Sequence, residues 1–480
     1  MKSCRLTAAM VVITIGSVAA FFAGCFMSTE PSPRRIERFT REWKFHPGDL
    51  QGAEEPGFVD SGWRQLDLPH DWSIEGAFSA ENPATPGGGA LPGGIGWYRK
   101  HFSLARADSG KIIFIDFDGV YRNSEVWING RYLGKRPYGY SSFRYELTPW
   151  LHYGERPNTL AVRVDNSRQP NSRWYSGSGI YRNVWLTVTG RVYVDHWGTF
   201  ITTPEVSAQQ ASVALQTRVR NAAEAPQKVT IETAIFGPDG AKKTAVSRKI
   251  LIQPGAVETV SQKGMVKQPE LWSVDQPALY RAVTQIKAAG AELDRYETPF
   301  GIRTIAFDGE KGFSLNGAAM KILGVCNHHD LGCLGAAINE RALERQLELL
   351  KGMGCNAIRT SHNPPAPELL DLCDRMGFLV MDEAFDMWKL GKNPDDYHLD
   401  WNEWHRRDLE DLILRDRNHP SVMMWSIGNE ILEQWDDSGL EMTRELAEIV
   451  RALDTTRPVT SACNDPAPYN RIVRSGALDV

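Results

Sequence analysis

The sequence shows no surplus of basic charge. Its 54 lysines and arginines stand against 59 aspartates and glutamates, which leaves a formal net charge of −5 at pH 7. A nucleic-acid-binding protein carries a clustered basic surplus, so nucleic acid is excluded as a partner. Hydrophobic residues make up 42% and charged residues 24% of the chain, close to the average of soluble domains. At about 100–200 residues per domain, we expect about three domains.

Paired cysteine motifs are also missing. Of the seven cysteines, Cys4 and Cys25 lie near the N-terminus, and no two form a Cys-x-x-Cys pair. An odd remainder without such pairs fits neither a disulfide framework nor a zinc site. We therefore expect free, mostly buried thiols at the remaining five positions. These positions are Cys326, Cys333, Cys355, Cys373 and Cys463.

The N-terminus has the pattern of a secretory leader. Lys2 and Arg5 precede an apolar run over residues 6–22, which is too short for a typical transmembrane helix. The segment Phe22-Ala23-Gly24-Cys25 resembles a bacterial lipoprotein cleavage box, in which the cysteine carries the lipid. We expect a lipoprotein signal peptide over 1–25, a lipid anchor on Cys25 and an extracytoplasmic location in the periplasm or at the cell surface. Because Phe22 departs from the usual leucine, plain secretion or an uncleaved anchor stays an alternative.

The next three segments are predicted to be a tether and two β domains. Residues 26–35, rich in serine, proline and arginine, predict a flexible tether. Residues 36–190 alternate in short apolar strands, with Asn129-Gly130 as a hairpin turn and no helical periodicity, which predicts a jelly-roll β-sandwich. Residues 191–308 continue the all-β pattern at the length of an immunoglobulin-like domain.

The pattern changes to alternating helices and strands over 309–480. Leu343, Leu347, Leu350 and Met353 lie on one face of a predicted helix. A helix followed by Met-Gly and a strand occurs twice, which indicates parallel βαβ units in a barrel or a doubly wound sheet. About five to six strands are predicted, the last beginning at 477–480, whereas a (β/α)8 barrel has eight.

Polar residues follow four of the predicted strands. The carboxyl ends of barrel strands are where active sites are built, so these side chains should converge. Several carboxylates with histidine, asparagine and arginine suit cleavage of a glycosidic bond. The four strand ends are Asn327-His328-His329-Asp330, Arg359-Thr360-Ser361-His362-Asn363, Asp382-Glu383 and Asn429-Glu430.

These motifs resemble glycoside hydrolase family 2, which includes β-galactosidases, β-glucuronidases and β-mannosidases. Residues 417–430 resemble its signature RNHPS…W-S-x-G-N-E, and 356–364 and 324–330 resemble its second-strand and first-strand motifs. Residues 68–72 and 177–182 resemble its sugar-binding sandwich. The resemblance implies the order jelly-roll sandwich, immunoglobulin-like sandwich and TIM barrel, which matches the order predicted above.

The resemblance also implies roles for single residues. Glu430 matches the general acid/base, which protonates the leaving oxygen and then deprotonates water in a partly enclosed site. Asn429 matches the amide that binds the sugar 2-hydroxyl. His362, together with either His328 or His329, matches the sugar-binding histidines.

Other polar residues have a second interpretation. Arg359 matches the arginine that holds the nucleophile ionised and oriented, and a buried structural ion pair is the alternative. Asp382 and Glu383 are interpreted as structural. The aromatic-rich segment 384–404 predicts a long loop that either walls the leaving-group side of the pocket or only packs on the barrel.

The sequence departs from the family pattern in two ways. The family nucleophile is a glutamate at the end of the seventh strand, and we expect none in this chain, so the 480 residues alone should be inactive. Family members that bind Mg²⁺ beside the acid/base use a glutamate and a histidine where this chain has Met387 and Lys389. A thioether and an ammonium do not bind Mg²⁺, so we expect no cofactor and no metal.

The hypothesis from the sequence is a lipid-anchored, retaining exo-β-glycosidase that hydrolyses terminal β-D-galactosides, with a β-linked glycoside as its partner. A β-glucuronidase or a β-mannosidase is the alternative within the family. A non-catalytic glycan-binding lipoprotein is the alternative from another class, although such a protein has no need of an acid/base.

Overall fold

The computed structural model describes residues 32–465 and 467–480. The predicted signal peptide with Cys25 and most of the predicted tether lie outside the described residues. Within the described part, no helix is both long and apolar enough to cross a membrane.

The first region is a sandwich of two antiparallel sheets. One sheet has the order β1-β10-β5-β8 and the other β3-β2-β4-β9-β6-β7, with the apolar core between them. Asn129 and Gly130 have φ angles of 52° and 79°, as a two-residue type I′ hairpin turn requires. The strands are β1 (Arg35–Arg38), β2 (Trp43–Pro47), β3 (Arg64–Leu66), β4 (Gly94–Phe102), β5 (Ile112–Phe117), β6 (Ser124–Ile128), β7 (Arg131–Arg136), β8 (Phe143–Glu146), β9 (Asn158–Asn166) and β10 (Val184–Thr189).

The C-terminal end of the predicted tether is part of this fold. Arg34 is buried, and its Nη2 lies 2.9 Å from Oδ2 of Asp294. β1 begins at the next residue, Arg35, and pairs with β10. The prediction of a flexible tether through residue 35 is therefore wrong at this end, because a buried ion pair and a paired strand fix the chain.

The second region is an immunoglobulin-like sandwich. Its sheets have the orders β11-β12-β15 and β14-β13-β16-β17, and apolar residues fill the space between them. The pairing of β11 with β12 shifts in register between Val194 and Thr199, which marks a β-bulge. The strands are β11 (Val192–Val206), β12 (Gln210–Asn221), β13 (Gln227–Phe236), β14 (Lys242–Ile252), β15 (Val257–Lys267), β16 (Tyr280–Ala288) and β17 (Ala291–Phe300).

A small three-stranded sheet follows. Its strands are β18 (Ile305–Asp308), β19 (Gly312–Leu315) and β20 (Ala318–Ala319), in that order. The predicted boundary between residues 308 and 309 lies inside the hairpin of β18 and β19. The hairpin of β18 and β19 therefore spans the predicted boundary.

The third region is a parallel β/α sheet with the order β21-β22-β23-β24-β25. Pro367 opens α2, where a missing N–H costs nothing, and Gly377 ends it with a φ of 73°. The predicted fold class is thus confirmed, with five barrel strands among the described residues. The elements are β21 (Gly324–Asn327), α1 (Glu340–Gly352), β22 (Ala357–Thr360), α2 (Pro367–Met376), β23 (Leu379–Glu383), α3 (Trp401–Asp416), β24 (Val422–Asn429), α4 (Ser438–Leu453), β25 (Val459–Ala462) and α5 (Arg471–Arg474).

Two smaller predictions are corrected. Residues 477–480 lie beside β25, where the Asp479 N–H donates to the carbonyl of Val459 over 2.8 Å, but they do not form the predicted strand. The five cysteines after the leader are free, as predicted, but only Cys373 is buried, and Cys326 and Cys333 are exposed. The expectation of mostly buried thiols is wrong, because loops and helix surfaces carry most of these residues.

Candidate active site

One guanidinium joins three of the four polar strand ends. Arg359 on β22 donates from Nε and Nη2 to the two carboxylate oxygens of Glu383 on β23, each over 3.0 Å. Its Nη2 also donates to Oδ1 of Asn429 on β24 over 2.5 Å. The carboxyl ends of neighbouring parallel strands meet at one edge of the sheet, so residues distant in sequence come together here.

Glu383 is the buried anchor of this cluster. Its side chain is fully buried and accepts hydrogen bonds from Arg359 and from the Ser426 hydroxyl, the latter over 2.6 Å. His362 Nδ1 lies 2.7 Å from Glu383 Oε1. The ion-pair interpretation of Arg359 therefore describes its observed contacts, and Glu383 orients both Arg359 and His362 at the mouth of the sheet.

Asp382 takes no part in the mouth. It is fully buried, and burial together with the nearby carboxylate of Asp416 raises its pKa well above the usual value. A neutral carboxylic acid in the interior is consistent with the structural interpretation of this residue.

Glu430 lies directly after β24 in a strained conformation. Its φ angle is 45°, in the left-handed region that costs a side-chain-bearing residue about 1–3 kcal/mol and that clusters at functional sites. Its N–H donates to the carbonyl of Ala462 over 2.7 Å, which holds the turn against β25. The side chain is 42% exposed among the described residues, so the carboxylate is accessible at the mouth.

Asn429 is held from both sides of its amide. Its Nδ2 donates to Oδ1 of Asp386 over 2.7 Å, while Oδ1 accepts from Arg359. Lys392 Nζ donates to the Asn429 carbonyl over 2.7 Å and to Asp386 over 2.9 Å. Burial alone would raise the pKa of Asp386, but the hydrogen bonds and charges of Arg173 and Lys392 bring it below the usual value.

Arg173 reaches this cluster from the first sandwich. It donates from Nε and Nη2 to Asp386 over 2.9 and 2.6 Å, and its Nη1 lies 3.3 Å from Oε2 of Glu430. The sequence analysis missed Arg173, Asp386 and Lys392. Asp386 lies only three residues after Glu383 and could have been suspected from that spacing, but no local pattern brings Arg173 to the barrel.

The two adjacent histidines of the first strand end diverge. His328 is exposed at the mouth, and its ring stacks on Trp174 with centroids 4.9 Å apart and an interplanar angle of 21°. His329 packs edge-on against Tyr140 and Tyr181, and burial lowers its pKa to about 3. Of the two candidates, the structure places His328 at the mouth and His329 in the interface with the sandwich.

The aromatic segment 384–404 packs on the barrel. Trp388, Tyr397 and Trp401 are each no more than 3% exposed, and Trp388 donates to the carbonyl of Ile427 over 2.8 Å. Trp401 and Trp404 belong to α3, so the predicted loop ends at residue 400. These aromatic side chains pack on the barrel, whereas Asp386 and Lys392 of the same segment contact Asn429 at the mouth.

The described residues contain no cluster of three histidine, cysteine or acidic side chains that could hold a metal ion. Met387 is 5% exposed and Lys389 is exposed. The ammonium of Lys392 instead lies among the oxygens of Asp386 and Asn429. A divalent cation at that place would be repelled by the positive charge of Lys392. The residues present there therefore do not fit Mg²⁺.

Comparisons with known proteins agree along the chain. Residues 308–475 match the family description "Glycosyl hydrolases family 2, TIM barrel domain". Residues 192–303 match "Glycosyl hydrolases family 2", and residues 82–190 match its "sugar binding domain".

Individual relatives give the same result. A β-galactosidase of Bacteroides ovatus is 54% identical over 95% of this chain and 57% of its own length. A putative β-glucuronidase of Formosa agariphila is 40% identical over 92% of this chain and 41% of its own. The crystal structure of a glycosyl hydrolase family 2 member from Bacteroides cellulosilyticus matches with a TM-score of 0.91 and 42% identity, over 93% of this chain and 58% of that one. The chain thus spans well under two thirds of the length of these relatives.

Proposed function

The chain belongs to glycoside hydrolase family 2, and from this premise we propose that its protein is a retaining exo-β-glycosidase acting on terminal β-D-galactosides. The observation that carries the proposal is the position of Glu430. It extends from a strained turn at the mouth of the sheet, next to an amide that is fixed by two other residues. A side chain held this way is prepared to meet a bound substrate without further ordering.

Glu430 is the proposed general acid/base. It donates a proton to the leaving oxygen and then takes one from the water that hydrolyses the glycosyl-enzyme intermediate. Asn429 is the proposed partner of the sugar 2-hydroxyl. Arg359 and Asp386 occupy one hydrogen-bonding position on each end of its amide, which leaves one lone pair and one N–H for the sugar.

The mechanism also needs a second carboxylate as nucleophile, about 5–5.5 Å from the first in a retaining enzyme. Asp386 and Glu383 are poor candidates, because each is buried and already bound to a guanidinium. The expectation that the nucleophile belongs to a later strand therefore stays a prediction.

Among the described residues, the charge balance at the mouth favours a neutral sugar. The cations Arg359, Arg173 and Lys392 are matched by three carboxylates, those of Glu383, Asp386 and Glu430. A uronic acid would need an unmatched cation to hold its carboxylate. This supports galactosides over glucuronides, in line with the name of the Bacteroides ovatus relative, and it does not separate galactosides from mannosides.

The experiment compares aryl β-galactoside, β-glucuronide and β-mannoside as substrates of the complete enzyme. We expect the largest kcat/KM for the galactoside. A larger kcat/KM for the glucuronide would contradict the charge argument. No turnover of any aryl glycoside, together with binding of glycans, would favour the non-catalytic glycan-binding protein instead.

We also propose that the protein is lipid-anchored through Cys25 on the extracytoplasmic side. The proposal rests on the cleavage box alone. Cys25→Ser should move the protein from the membrane fraction to the soluble extracytoplasmic fraction, whereas Cys4→Ser, the matched control, should not. A Cys25→Ser protein that stays with the membrane would indicate an uncleaved anchor.

A further inference from the structure

A second cavity lies away from the candidate active site. It has a volume of about 340 Å³, is open to solvent, and is bordered by the jelly-roll sandwich, the immunoglobulin-like sandwich, and α2 and α3 of the barrel. None of the mouth residues discussed above lines it. We call it the junction cavity, and its lining includes Asp118, Phe143, Trp185, His196, Trp197 and Arg415. Its volume is within the range of small-molecule sites, about 300–1,000 Å³.

Trp197 borders the junction cavity from a strained position. Its φ angle is 45°, which is unusual for a bulky residue, and it lies in the bulge of β11 between Val194 and Thr199. One ring face stacks on His196, with centroids 3.8 Å apart. Bulges redirect side chains out of the regular alternation of a strand. Here the bulge brings two consecutive rings, which would otherwise point to opposite faces, to the same cavity.

Burial shifts the pKa values of two polar groups of the cavity toward their uncharged forms. Burial and the charge of Glu368 raise the pKa of Asp118 to about 8, and its Oδ2 accepts from the Trp185 indole over 2.7 Å. Burial and the nearby Arg144 lower the pKa of His196 to about 3. The Nε2 atom of His196 is buried and has no hydrogen-bond partner among the described residues. A carboxylic acid and a neutral imidazole both exchange hydrogen bonds with hydroxyl groups.

The cations around the cavity are already paired. Arg34 binds Asp294 at 2.9 Å, and Arg144 binds Asp116 at 2.5 Å. Arg415 binds Asp416 at 2.6 Å, and His419 binds Asp374 at 2.6 Å. An anionic ligand would therefore find no free positive charge, whereas a neutral ligand would leave these pairs intact.

We propose that the junction cavity is a non-catalytic site for one neutral pyranose, with Trp197 and its neighbouring aromatic rings as the apolar wall. A pyranose combines hydroxyl groups, which suit Asp118 and His196, with an apolar C–H face, which suits aromatic rings. The site is independent of Glu430. It would bind a sugar residue of a glycan whether or not the barrel hydrolyses that glycan.

The test is a crystal soak of the complete protein with galactose, glucose or mannose, paired with calorimetric titration of the same sugars. Sodium glucuronate is the charged control. We expect density for at least one neutral sugar in the junction cavity and none for glucuronate. Trp197→Ala should weaken this binding about tenfold, the effect of losing about 1.4 kcal/mol of aromatic contact. Trp150→Ala, which removes an exposed indole elsewhere on the sandwich, should leave it unchanged.

Ile36→Trp is a second variant that fills the cavity without removing a core side chain, because Ile36 lines the cavity and is 55% exposed. It should also abolish the junction density. The proposal would be overturned by sugar bound only at the barrel mouth or by no bound sugar at all. It would also be overturned if the junction cavity of Ile36→Trp still held sugar. Electron density for a sugar in the junction cavity does not depend on hydrolysis. This test can therefore fail or succeed separately from the proposed hydrolytic activity.

Discussion

Arg173 of the jelly-roll sandwich forms a two-point ion pair with Asp386 of the barrel, with donor–acceptor distances of 2.6 and 2.9 Å. Asp386 in turn accepts from the amide of Asn429, and the remaining nitrogen of Arg173 approaches Glu430. The sandwich thus takes part in positioning the two residues to which we assign the chemistry. This contact gives a physical reason for the sandwich and barrel to act as one site.

Arg173→Met should lower kcat of the complete enzyme by about 10²-fold, the scale of a misplacement of about 1 Å at a reacting group. The methionine keeps the aliphatic length but loses both hydrogen bonds to Asp386 and leaves that buried carboxylate with Lys392 as its remaining cation. Steady-state kinetics on an aryl glycoside, with kcat and KM separated, measures the effect.

Arg41→Met is the matched control, since Arg41 is an exposed arginine of the same sandwich paired with Asp67. It should leave kcat unchanged. A kcat of Arg173→Met within twofold of the wild type would show that Asn429 and Glu430 hold their positions without the sandwich.

Asp118→Asn should stabilise the protein as the pH rises. The folded-state pKa of Asp118 is about 8 against a reference value of 3.8, so ionisation of this buried acid costs folding free energy progressively between those pH values. Asparagine retains an acceptor for the Trp185 indole and carries no charge. The thermal midpoint of the variant minus that of the wild type should increase from pH 4 to about pH 8 and then level off. A difference that is flat over this range would contradict the assignment of a raised pKa.

His419 should also make the wild type less stable as the pH rises, over a higher pH range and because an ion pair is lost rather than because a buried acid ionises. Its Nδ1 lies 2.6 Å from Asp374 at the end of α2, and although burial opposes the charge, Asp374 raises the pKa of His419 to about 9. Because the folded pKa lies above the unfolded value of 6.5, its stabilisation is complete below pH 6.5 and disappears as the pH rises through about 9.

His419→Gln should therefore lower the free energy of unfolding by about 3–5 kcal/mol near pH 6, since it leaves the buried Asp374 without its cation. The loss should shrink toward pH 9. Denaturant unfolding at several pH values measures it. An equal loss at pH 6 and pH 9 would mean that the charge of His419 contributes nothing.

Chelation should not reduce activity through a metal beside Glu430. Lys392 occupies the oxygen-rich position next to Asn429, and neither Met387 nor Lys389 offers a ligand for Mg²⁺. EDTA should leave kcat/KM of the complete enzyme unchanged, and added Mg²⁺ should not raise it. A Mg²⁺ ion found within coordination distance of the Glu430 carboxylate would overturn this expectation.

The sequence was a good guide where structure follows local periodicity. The spacing of Leu343 and Leu347 predicted α1, and Asn129-Gly130 predicted the hairpin of β6 and β7, because both signals are local. The start of α3 at Trp401 was missed although Asp400 and Glu403 have the spacing of a helix start signal, because the aromatic residues there were assigned to a loop.

The site could be predicted only in part, because sequence signals are local and some contacts of the site are not. Glu430, Asn429, Arg359 and His362 follow strands, so barrel geometry brings them together. Arg173 lies 257 residues before Glu430 in a loop of another region, and its position depends on how the regions pack. Whether His328 or His329 faces the mouth depends on rotamers at the same interface, which no sequence pattern specifies.

The most direct test of the account is the leaving-group dependence of Glu430→Gln in the complete enzyme. Glutamine keeps the shape of the side chain but cannot donate the proton. General acid catalysis typically accelerates a reaction by about 10²–10⁴-fold. We predict a loss of that size in kcat/KM for a galactoside with a poor leaving group, such as lactose, and a much smaller loss for an activated aryl galactoside, whose departure needs no proton. Equal, small losses on both substrates would contradict the assignment of Glu430 as the acid/base.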